Sequence, residues 1–441
     1  MADVSGRLNE THDLNGRSWI DAANKPDCPF PIQNLPIAVF RRSGSSEPFR
    51  GGIAIGEFIV DLAAPCLLPH LGETARSAVS LASSPCLNAF MAAGRAVQRS
   101  LRSDLSRILR HDFHERKNVT EALVAIDQAE FKIPSQIGNF SDFYCSIHHA
   151  ANVGKQFRPD NPVLPNYRWL PVGYQGRTSS ILLSGHAIGR PKGQIRDADS
   201  SDPIYAACRR LDYEAELGIF IGAGNALGNP IAIEEVEDHL FGVCILNDWS
   251  ARDIQSWEYQ PLGPFLAKSF ATSISPWIVS FDALEPYRLP HRRPAGDPAP
   301  LPHLASKQDE VCGAIDIRIS VHLQTAAMQA HDLAPVRLSS STYADSYWTL
   351  AQVIAHHTSN GCNLQAGDLI GSGTISGPAP DARACLLELT EGGRSPVTLP
   401  SGETRAFLQD GDTVILSAWC EREGFARIGF GECRATVQAA E

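Results

Sequence analysis

The sequence predicts a mainly β protein with some helix, organised as two domains, and three observations carry that reading. Its 441 residues are too many for one ordinary domain. From about residue 136 onward, short apolar runs follow one another between Gly, Pro, Asn and Asp, the texture of strands and turns. Ahead of them lies one amphipathic block. There Leu87, Phe90, Met91, Val97, Leu101, Leu105 and Ile108 recur at three-to-four spacing, the period of a helix packed on a small β domain. At 43% hydrophobic and 20% charged residues the composition is that of an ordinary soluble globular chain. A net charge of −11 argues against a nucleic-acid or anionic-membrane surface, although a few local Arg and Lys side chains suffice for an anionic substrate.

Taken in order, residues 1–28 are polar, with no basic start and no apolar core, and read as a flexible leader rather than a signal peptide. Nothing further along approaches the length of an apolar membrane span. Eleven cysteines, from Cys28 to Cys433, form no CxxC pair and read as reduced, mostly buried thiols of a cytoplasmic protein. The sequons at Asn9, Asn118 and Asn139 are then chance. In residues 29–135, PFPIQNLPIAVF and RGGIAIGEFIVDLA read as short strands, with Gly51-Gly52 at the hairpin corner. The texture turns helical from about Glu73, and Val119–Phe131 reads as one more helix before Pro134 and Gly138 close the domain. In residues 136–441, ILLSGHAIGR, AIDIRISVHLQT, LLELT, TVILSAWC and ARIGFGECRATV read as strands. Ser346–His357 reads as a helix, and the proline-rich stretch Glu285–Glu310 as an extended loop.

Chemistry concentrates between Leu211 and Trp277. In LDYEAELGIFIG, Leu211, Tyr213, Ala215 and Leu217 alternate with Asp212, Glu214 and Glu216, the two-residue period of a strand. On a strand Glu214 and Glu216 point the same way, about 7 Å apart. Most such pairs are a solvated face. Here Leu217, Ile219, Phe220 and Ile221 continue into a buried-looking run, and buried acids need a cation. The apolar run Phe241–Leu246 delivers Asp248 in a turn. Ser250 then reads as an N-cap with Asp253 at the capping-box position, opening a helix that carries Arg252, Gln255 and Tyr259 along one face. Carboxylate oxygens are hard ligands and suit Mg²⁺ or Ca²⁺ rather than zinc.

Upstream, Asp142, Tyr144, His148, His149 and Arg158 bring an acid, a phenol, two imidazoles and a guanidinium together within seventeen residues. Alone, a His pair is more often surface decoration, and Asp142 reads equally well as a helix cap. The apolar context PLGPFLAKSF reads Lys268 as buried and partnered. His356-His357 reads as a helix C-terminal charge or a core pair. No GxSxG elbow occurs, and the glycine runs Gly222–Gly228 and Gly371–Gly377 miss the dinucleotide fingerprint and read as turns, the second lining a site. The residues alone yield a β-rich hydrolase or lyase with one divalent cation, one imidazole base and Arg/Lys groups for an anionic substrate.

From about Phe30 to Val437 the chain resembles the fumarylacetoacetase (fumarylacetoacetate hydrolase) family. The motifs are FPIQNLPIAVF, DFYCSIHHAANVG, LPNYRWLPVGYQGRTSSI, LDYEAELGIF, NDWSARDIQSWEYQPLGPFLAKSF, TSISPW, YWTLAQVIAHH and NGCNLQAGDLIGSGTISG. The resemblance implies a small SH3-like β-barrel N-terminal domain with a helical extension at 29–135, a mixed β-sandwich-roll catalytic domain at 136–441, and a homodimer. By position it implies metal-binding carboxylates at Asp142, Glu214, Glu216 and Asp248, with Lys268 and Thr272 alongside, for Mg²⁺ and/or Ca²⁺. It makes His149 the general base and Glu388 the acid that orients it, with His148 an added neighbour. Tyr144, Arg158, Gln255, Tyr259 and Thr374 match substrate-binding positions, and Tyr174 and Arg252 line the pocket; Arg252 and Lys268 also stabilise developing charge. The implied reaction cleaves 4-fumarylacetoacetate, a diketo-dicarboxylic acid, to fumarate and acetoacetate, the last step of phenylalanine and tyrosine catabolism. Acylpyruvate hydrolysis, oxaloacetate decarboxylation and dienoate isomerisation are the sister readings, and a non-catalytic metal-stabilised binding protein is the remote one.

Overall fold

The computed structural model describes residues 5–197 and 199–441. β1 (Ile37–Arg42), β2 (Arg50–Ile55) and β3 (Phe58–Asp61) form an antiparallel meander. Gly51 and Gly52 sit inside β2, opposite Val39 and Ala38, rather than at a hairpin corner. A side chain on Gly52 would collide with Phe40 and Ile59, and one on Gly51 with the carbonyl of Ala82. Both glycines therefore answer to close packing, not to a turn.

Helices α1 (Glu73–Ala82), α2 (Asn88–Ala92) and α3 (Arg95–Leu109) follow, with Gly94 at φ +82 breaking the apolar stripe between the last two. Leu87, Phe90, Met91, Leu101, Leu105 and Ile108 are buried. The expected helix over Val119–Phe131 is instead β4 (Leu123–Ala125), a 3₁₀ turn and β5 (Ala129–Lys132). These short strands cover the two edges of the sheet, giving the order β4-β3-β2-β1-β5. Edge pairing overrides a local spacing that also fits a helix.

The described part of the expected flexible leader is packed. Thr11, His12, Ser18, Ile20 and Ala23 are buried. Ser18 Oγ donates to the Leu109 carbonyl at 2.8 Å and Trp19 Nε1 to that of Ile108 at 2.9 Å, so the last turn of α3 holds the segment. Residues 1–4 of that expected leader lie outside the described residues.

The larger half contains, in chain order, β6 (Phe140–Phe143), α4 (Ile147–Phe157), β7 (Gly173–Gln175), β8 (Ile181–Leu183), β9 (Leu211–Asp212) and β10 (Ala215–Ile221). Next come β11 (Leu240–Asp248), α5 (Arg252–Glu258), β12 (Thr272–Ile274), β13 (Arg318–Gln324) and β14 (Val336–Thr342). Finally come α6 (Leu350–Thr358), β15 (Leu369–Gly371), α7 (Leu386–Leu389), β16 (Thr413–Cys420) and β17 (Ile428–Gln438). A mixed eight-stranded sheet runs β7-β6-β15-β10-β11-β12-β8, with Val279–Ser280 also pairing β11. β10 and β11 are buried along their whole length, which explains their unbroken apolar runs. A five-stranded sheet, β14-β13-β16-β17 plus Ile188–Gly189, packs Val321, Leu323, Val414 and Leu416 into one core with Leu217 and Ile219.

Two further expectations change. LLELT is not a strand: its first four residues form the short helix α7. Ser346–His357 turns helical only at Leu350, because Thr349 and Gln352 make a reciprocal capping box there. The eleven cysteines are free thiols, eight of them buried, and among the described residues no helix is long and apolar enough to cross a membrane.

Candidate active site

Three adjacent parts of the large sheet bring three acids together. Asp142 stands on β6, Glu216 on β10 and Asp248 ends β11. All three are buried, with ligand oxygens within 4.8 Å of one another. β15 passes between β6 and β10, and its Gly371 lies opposite Asp142. A side chain on Gly371 would occupy the space of the Asp142 and Glu216 carboxylates, so the glycine makes room for the cluster. Asp248 is the last residue of its strand rather than part of a turn. Ser250 does not cap α5: the N-cap is Ala251 without a side-chain bond, and Ser250 Oγ donates to the Asp248 carbonyl. Asp253 instead accepts from the Arg209 amide at 2.7 Å.

Each of the three acids keeps one buried oxygen without a hydrogen-bond partner among the described residues: Asp142 Oδ1, Glu216 Oε1 and Asp248 Oδ1. Burial pushes the carboxyl of Asp142 well above its usual range, and the nearby Asp248 adds to the shift. Glu216 is raised by burial and then by Asp142 and Asp248. Burial also raises Asp248, against the pull of Lys268. Three crowded carboxylates with free oxygens and oxygen-only donors fit a hard divalent cation.

Glu214 falls in a break between β9 and β10, so it does not share a straight strand face with Glu216. Its Oε2 accepts from Lys268 Nζ at 2.6 Å and its Oε1 pairs with Arg252 Nη1 at 2.7 Å. Burial alone would raise Glu214, but Lys268 and Arg252 outweigh it and hold the carboxyl low. Lys268 is buried and also donates to Asp248 Oδ2 at 2.6 Å, where Tyr174 Oη donates as well. Lys268 thus reaches the acids through its ammonium, which has no lone pair to offer a metal. Thr272 is buried on β12, opposite Asp248 in register, and does not line the cavity.

His149 comes from the first turn of α4, which Ser146 caps by accepting the His149 amide at 3.2 Å. His149 Nδ1 lies 2.6 Å from Glu388 Oε2 on α7. Asn152, three residues on along the same helix, donates to Glu388 Oε1 at 2.9 Å, and Ser376 Oγ donates to Oε2 at 2.7 Å. Burial alone would raise Glu388, but His149, Asn152 and Ser376 bring it down to about 2. An ionised Glu388 accepts from Nδ1–H and so fixes the plane of the imidazole ring. Nε2 sits 4.0 Å from Glu214 Oε1, with the Tyr144 ring edge-on at 5.0 Å. His148 does not line the cavity.

The site opens on one cavity of about 370 Å³, reached by Asp142 of the acid cluster and His149 of the His–Glu pair, with Glu216, Asp248 and Glu388 outside its lining. His149, Asp142, Glu214, Arg252 and Lys268 form its polar end, with Tyr144, Arg158, Tyr174, Gln255, Tyr259 and Thr374 on the walls. Arg158 Nε and Thr374 Oγ1 are buried there without a partner among the described residues, a free donor and a free hydroxyl for a polar ligand. Burial keeps the phenols of Tyr144 and Tyr174 protonated by raising both. Sequence reasoning missed Asn152, Ser376, Asp212 and the role of Gly371. Asn152 was legible as the i+3 neighbour of His149 once a helix was assumed, whereas Ser376 meets Glu388 only through the fold.

Comparisons with known proteins place the chain in a family. Residues 139–438 match the family described as fumarylacetoacetate (FAA) hydrolase C-terminal, and residues 33–134 match fumarylacetoacetase N-terminal. The chain is 45% identical to the fumarylacetoacetase of Bos taurus over 433 residues, 96% of this chain and 99% of that one. It is 44% identical to that of Homo sapiens over 430 residues, with 96% and 99% covered. For Arabidopsis thaliana the figures are 43% over 430 residues, 96% and 98%. The chain therefore belongs to the fumarylacetoacetate hydrolase family.

Proposed function

We propose that the protein hydrolyses the carbon–carbon bond of 4-fumarylacetoacetate, releasing fumarate and acetoacetate. One observation carries the reading: His149 of a His–Glu pair, Asp142 of a partner-poor carboxylate cluster, and the buried cationic side chains Arg252 and Lys268 line one cavity. Asp142, Glu216 and Asp248, with Glu214 beside them, would hold Mg²⁺ or Ca²⁺. Such a cation, when bound, supplies Lewis-acid polarisation of the diketone.

The side chains account for the rest. Glu388 holds Nδ1–H of His149, so Nε2 takes a proton from water as the resulting hydroxide adds to the ketone carbonyl. The carbon–carbon bond then breaks and its electron pair leaves as the enolate of acetoacetate. Arg252, Gln255 and Lys268 stabilise the negative charge as it develops. A proton from Lys268, or from a water, completes the leaving group. Arg158 and Tyr144 hold a substrate carboxylate, and Tyr259 and Thr374 contribute further polar contacts. The phenol of Tyr174 orients Asp248.

The same reading takes the chain as a cytoplasmic homodimer acting in the last step of phenylalanine and tyrosine catabolism. Residues 29–135 would be an SH3-like domain and 136–441 the β-sandwich-roll catalytic domain; the separate antiparallel five-stranded sheet supports that division. The test is to mix the protein with fumarylacetoacetate and Mg²⁺ and follow loss of the diketone's ultraviolet absorbance, with and without chelator. Chelator-sensitive loss with fumarate and acetoacetate as products is expected. Cleavage of simple acylpyruvates alone would overturn the substrate assignment, and no turnover of either would overturn the reaction.

A further inference from the structure

Asp212 is fully buried and does not line the cavity, yet it connects two parts of the site that are distant in sequence. Its Oδ2 accepts from Arg252 Nε at 2.9 Å, with Arg252 Nη2 also at 2.9 Å. The same oxygen accepts the Leu387 amide at 2.9 Å, and Oδ1 accepts the Leu386 amide at 2.8 Å. Those two amides open α7, the short helix that carries Glu388. The Nη1 corner of Arg252 points away from Asp212 and meets Glu214 Oε1 at 2.7 Å and Gln255 Oε1 at 3.1 Å. One carboxylate therefore sets the direction of a guanidinium and the seat of the acid that orients His149.

We propose that Asp212 is a positioning residue that fixes the Arg252 guanidinium relative to the His149–Glu388 pair. A water activated at Nε2 and a negative charge forming near Nη1 must be held at a set separation. The fork of Arg252 has several rotamers, and α7 is one turn long, so neither is rigid alone. A carboxylate whose Oδ2 takes Arg252 and the Leu387 amide, and whose Oδ1 takes the Leu386 and Tyr213 amides, supplies the shared anchor. Asparagine cannot replace it: the amide has one acceptor where two oxygens now serve, and its NH₂ would face N–H donors.

This inference rests on the proposed hydrolysis and is tested in the full-length enzyme. Asp212→Asn should lower kcat about 10²-fold while KM changes by less than about threefold, because the lost interaction acts on developing charge. In an Arg252→Gln background the same change should lower kcat by about tenfold rather than about 10²-fold, since the part of its effect that runs through Arg252 is already lost and the part that runs through α7 remains. Losses that multiply fully would overturn the proposal, as would a variant in which only KM rises. Should Asp212→Asn fail to fold, Asp212→Glu, which keeps the charge but moves it by one methylene, carries the same measurements. A crystal structure of the variant gives a readout independent of turnover. Arg252 and residues 386–388 unmoved would overturn the proposal; Arg252 turned away from Glu214 supports it. If the wild-type enzyme leaves fumarylacetoacetate intact, the reaction assignment falls, and the crystal structure alone decides the role of Asp212.

Discussion

Two ionic clusters in this molecule, one partly and one wholly buried, are built on opposite principles. One joins α3 to the larger half: Arg7, Arg95, Arg99 and Arg288 face Glu237, Asp282 and Glu285. Arg7 Nη1 lies 2.8 Å from Glu237 Oε2, Arg99 Nη2 2.7 Å from Asp282 Oδ1, and Arg288 Nε 2.8 Å from Glu285 Oε2. Burial alone would raise Glu237 and Asp282, but the arginines outweigh it and both are lowered. None of these three acids has a buried oxygen without a partner among the described residues. In the site, Asp142, Glu214, Glu216 and Asp248 share Lys268 and Arg252, and Arg252 is itself divided with Asp212. Three of those acids are raised and keep a free oxygen each. A matched cluster fastens parts of a fold together, whereas an unmatched one is held by the fold for something that arrives later.

The largest effect should come from completing the match artificially. Glu216→Gln removes one ligand oxygen and one crowded charge, so turnover should fall about 10³-fold, the scale of several kcal/mol of transition-state stabilisation. Its thermal midpoint in chelator should be no lower than that of chelated wild type, because among the described residues the lost charge pairs with no cation and accepts the Gly373 amide on Oε2. Added Mg²⁺ should raise the wild-type midpoint and leave the variant's almost unmoved. A variant that melts well below wild type in chelator would place Glu216 in the matched class.

Next in size is the imidazole. His149→Ala should lower turnover about 10²-fold or more, as removal of a general base does. His148→Ala should leave it within about twofold, since His148 lies off the cavity. Steady-state kinetics on both variants settle the pair, and the reverse result would move the base to His148.

Much of this contrast was legible in the chain, but unevenly. The strands TVILSAWC and ARIGFGECRATV were readable because short apolar runs set between turn residues mark strands packed into a sheet. Glu216 and Asp248 were readable because acids entering unbroken apolar runs are conspicuous. Val119–Phe131 misled because two strands of three and four residues around a 3₁₀ turn place apolar residues at helical intervals. Gly51 and Gly52 misled because a glycine kept for close approach to a ring looks the same as one kept for a turn. Asp212 stood in the same alternation as Glu214 and Glu216, but its partners lie 40 and about 175 residues away. The matched network was hidden for the same reason. Arg7 sits in a polar stretch that reads as loose, and its acids are 230 and 278 residues distant.

The matched network answers to stability rather than turnover. Asp282→Asn removes the carboxylate that Arg99 and Arg95 share; Arg95 keeps Glu237 and Glu285 and Arg99 is half exposed, so the change should cost about 1.5 kcal/mol. The turnover of the folded enzyme should stay near wild type. Denaturant unfolding with activity measured on the same samples checks both. Lost activity with unchanged stability would make the network part of the site.

The smallest effect separates the clusters by acid titration. Asp282 and Glu237 are held below their ordinary values of 3.8 and 4.5. A carboxyl lowered by folding stabilises in full above its unfolded value and loses that contribution as pH falls through the folded value. Between pH 7 and pH 5 the network should therefore contribute a constant amount, and its loss should begin below about pH 4.5. Glu388, brought down to about 2, loses its contribution in the same low window, in wild type and variant alike. Removing Asp282 takes one of these protons out of the unfolding reaction, so the midpoint of Asp282→Asn should decline less steeply below pH 4.5 than that of wild type. Parallel declines would mean that Asp282 is not held low, and that the arginines around it neutralise Glu237 and Glu285 instead.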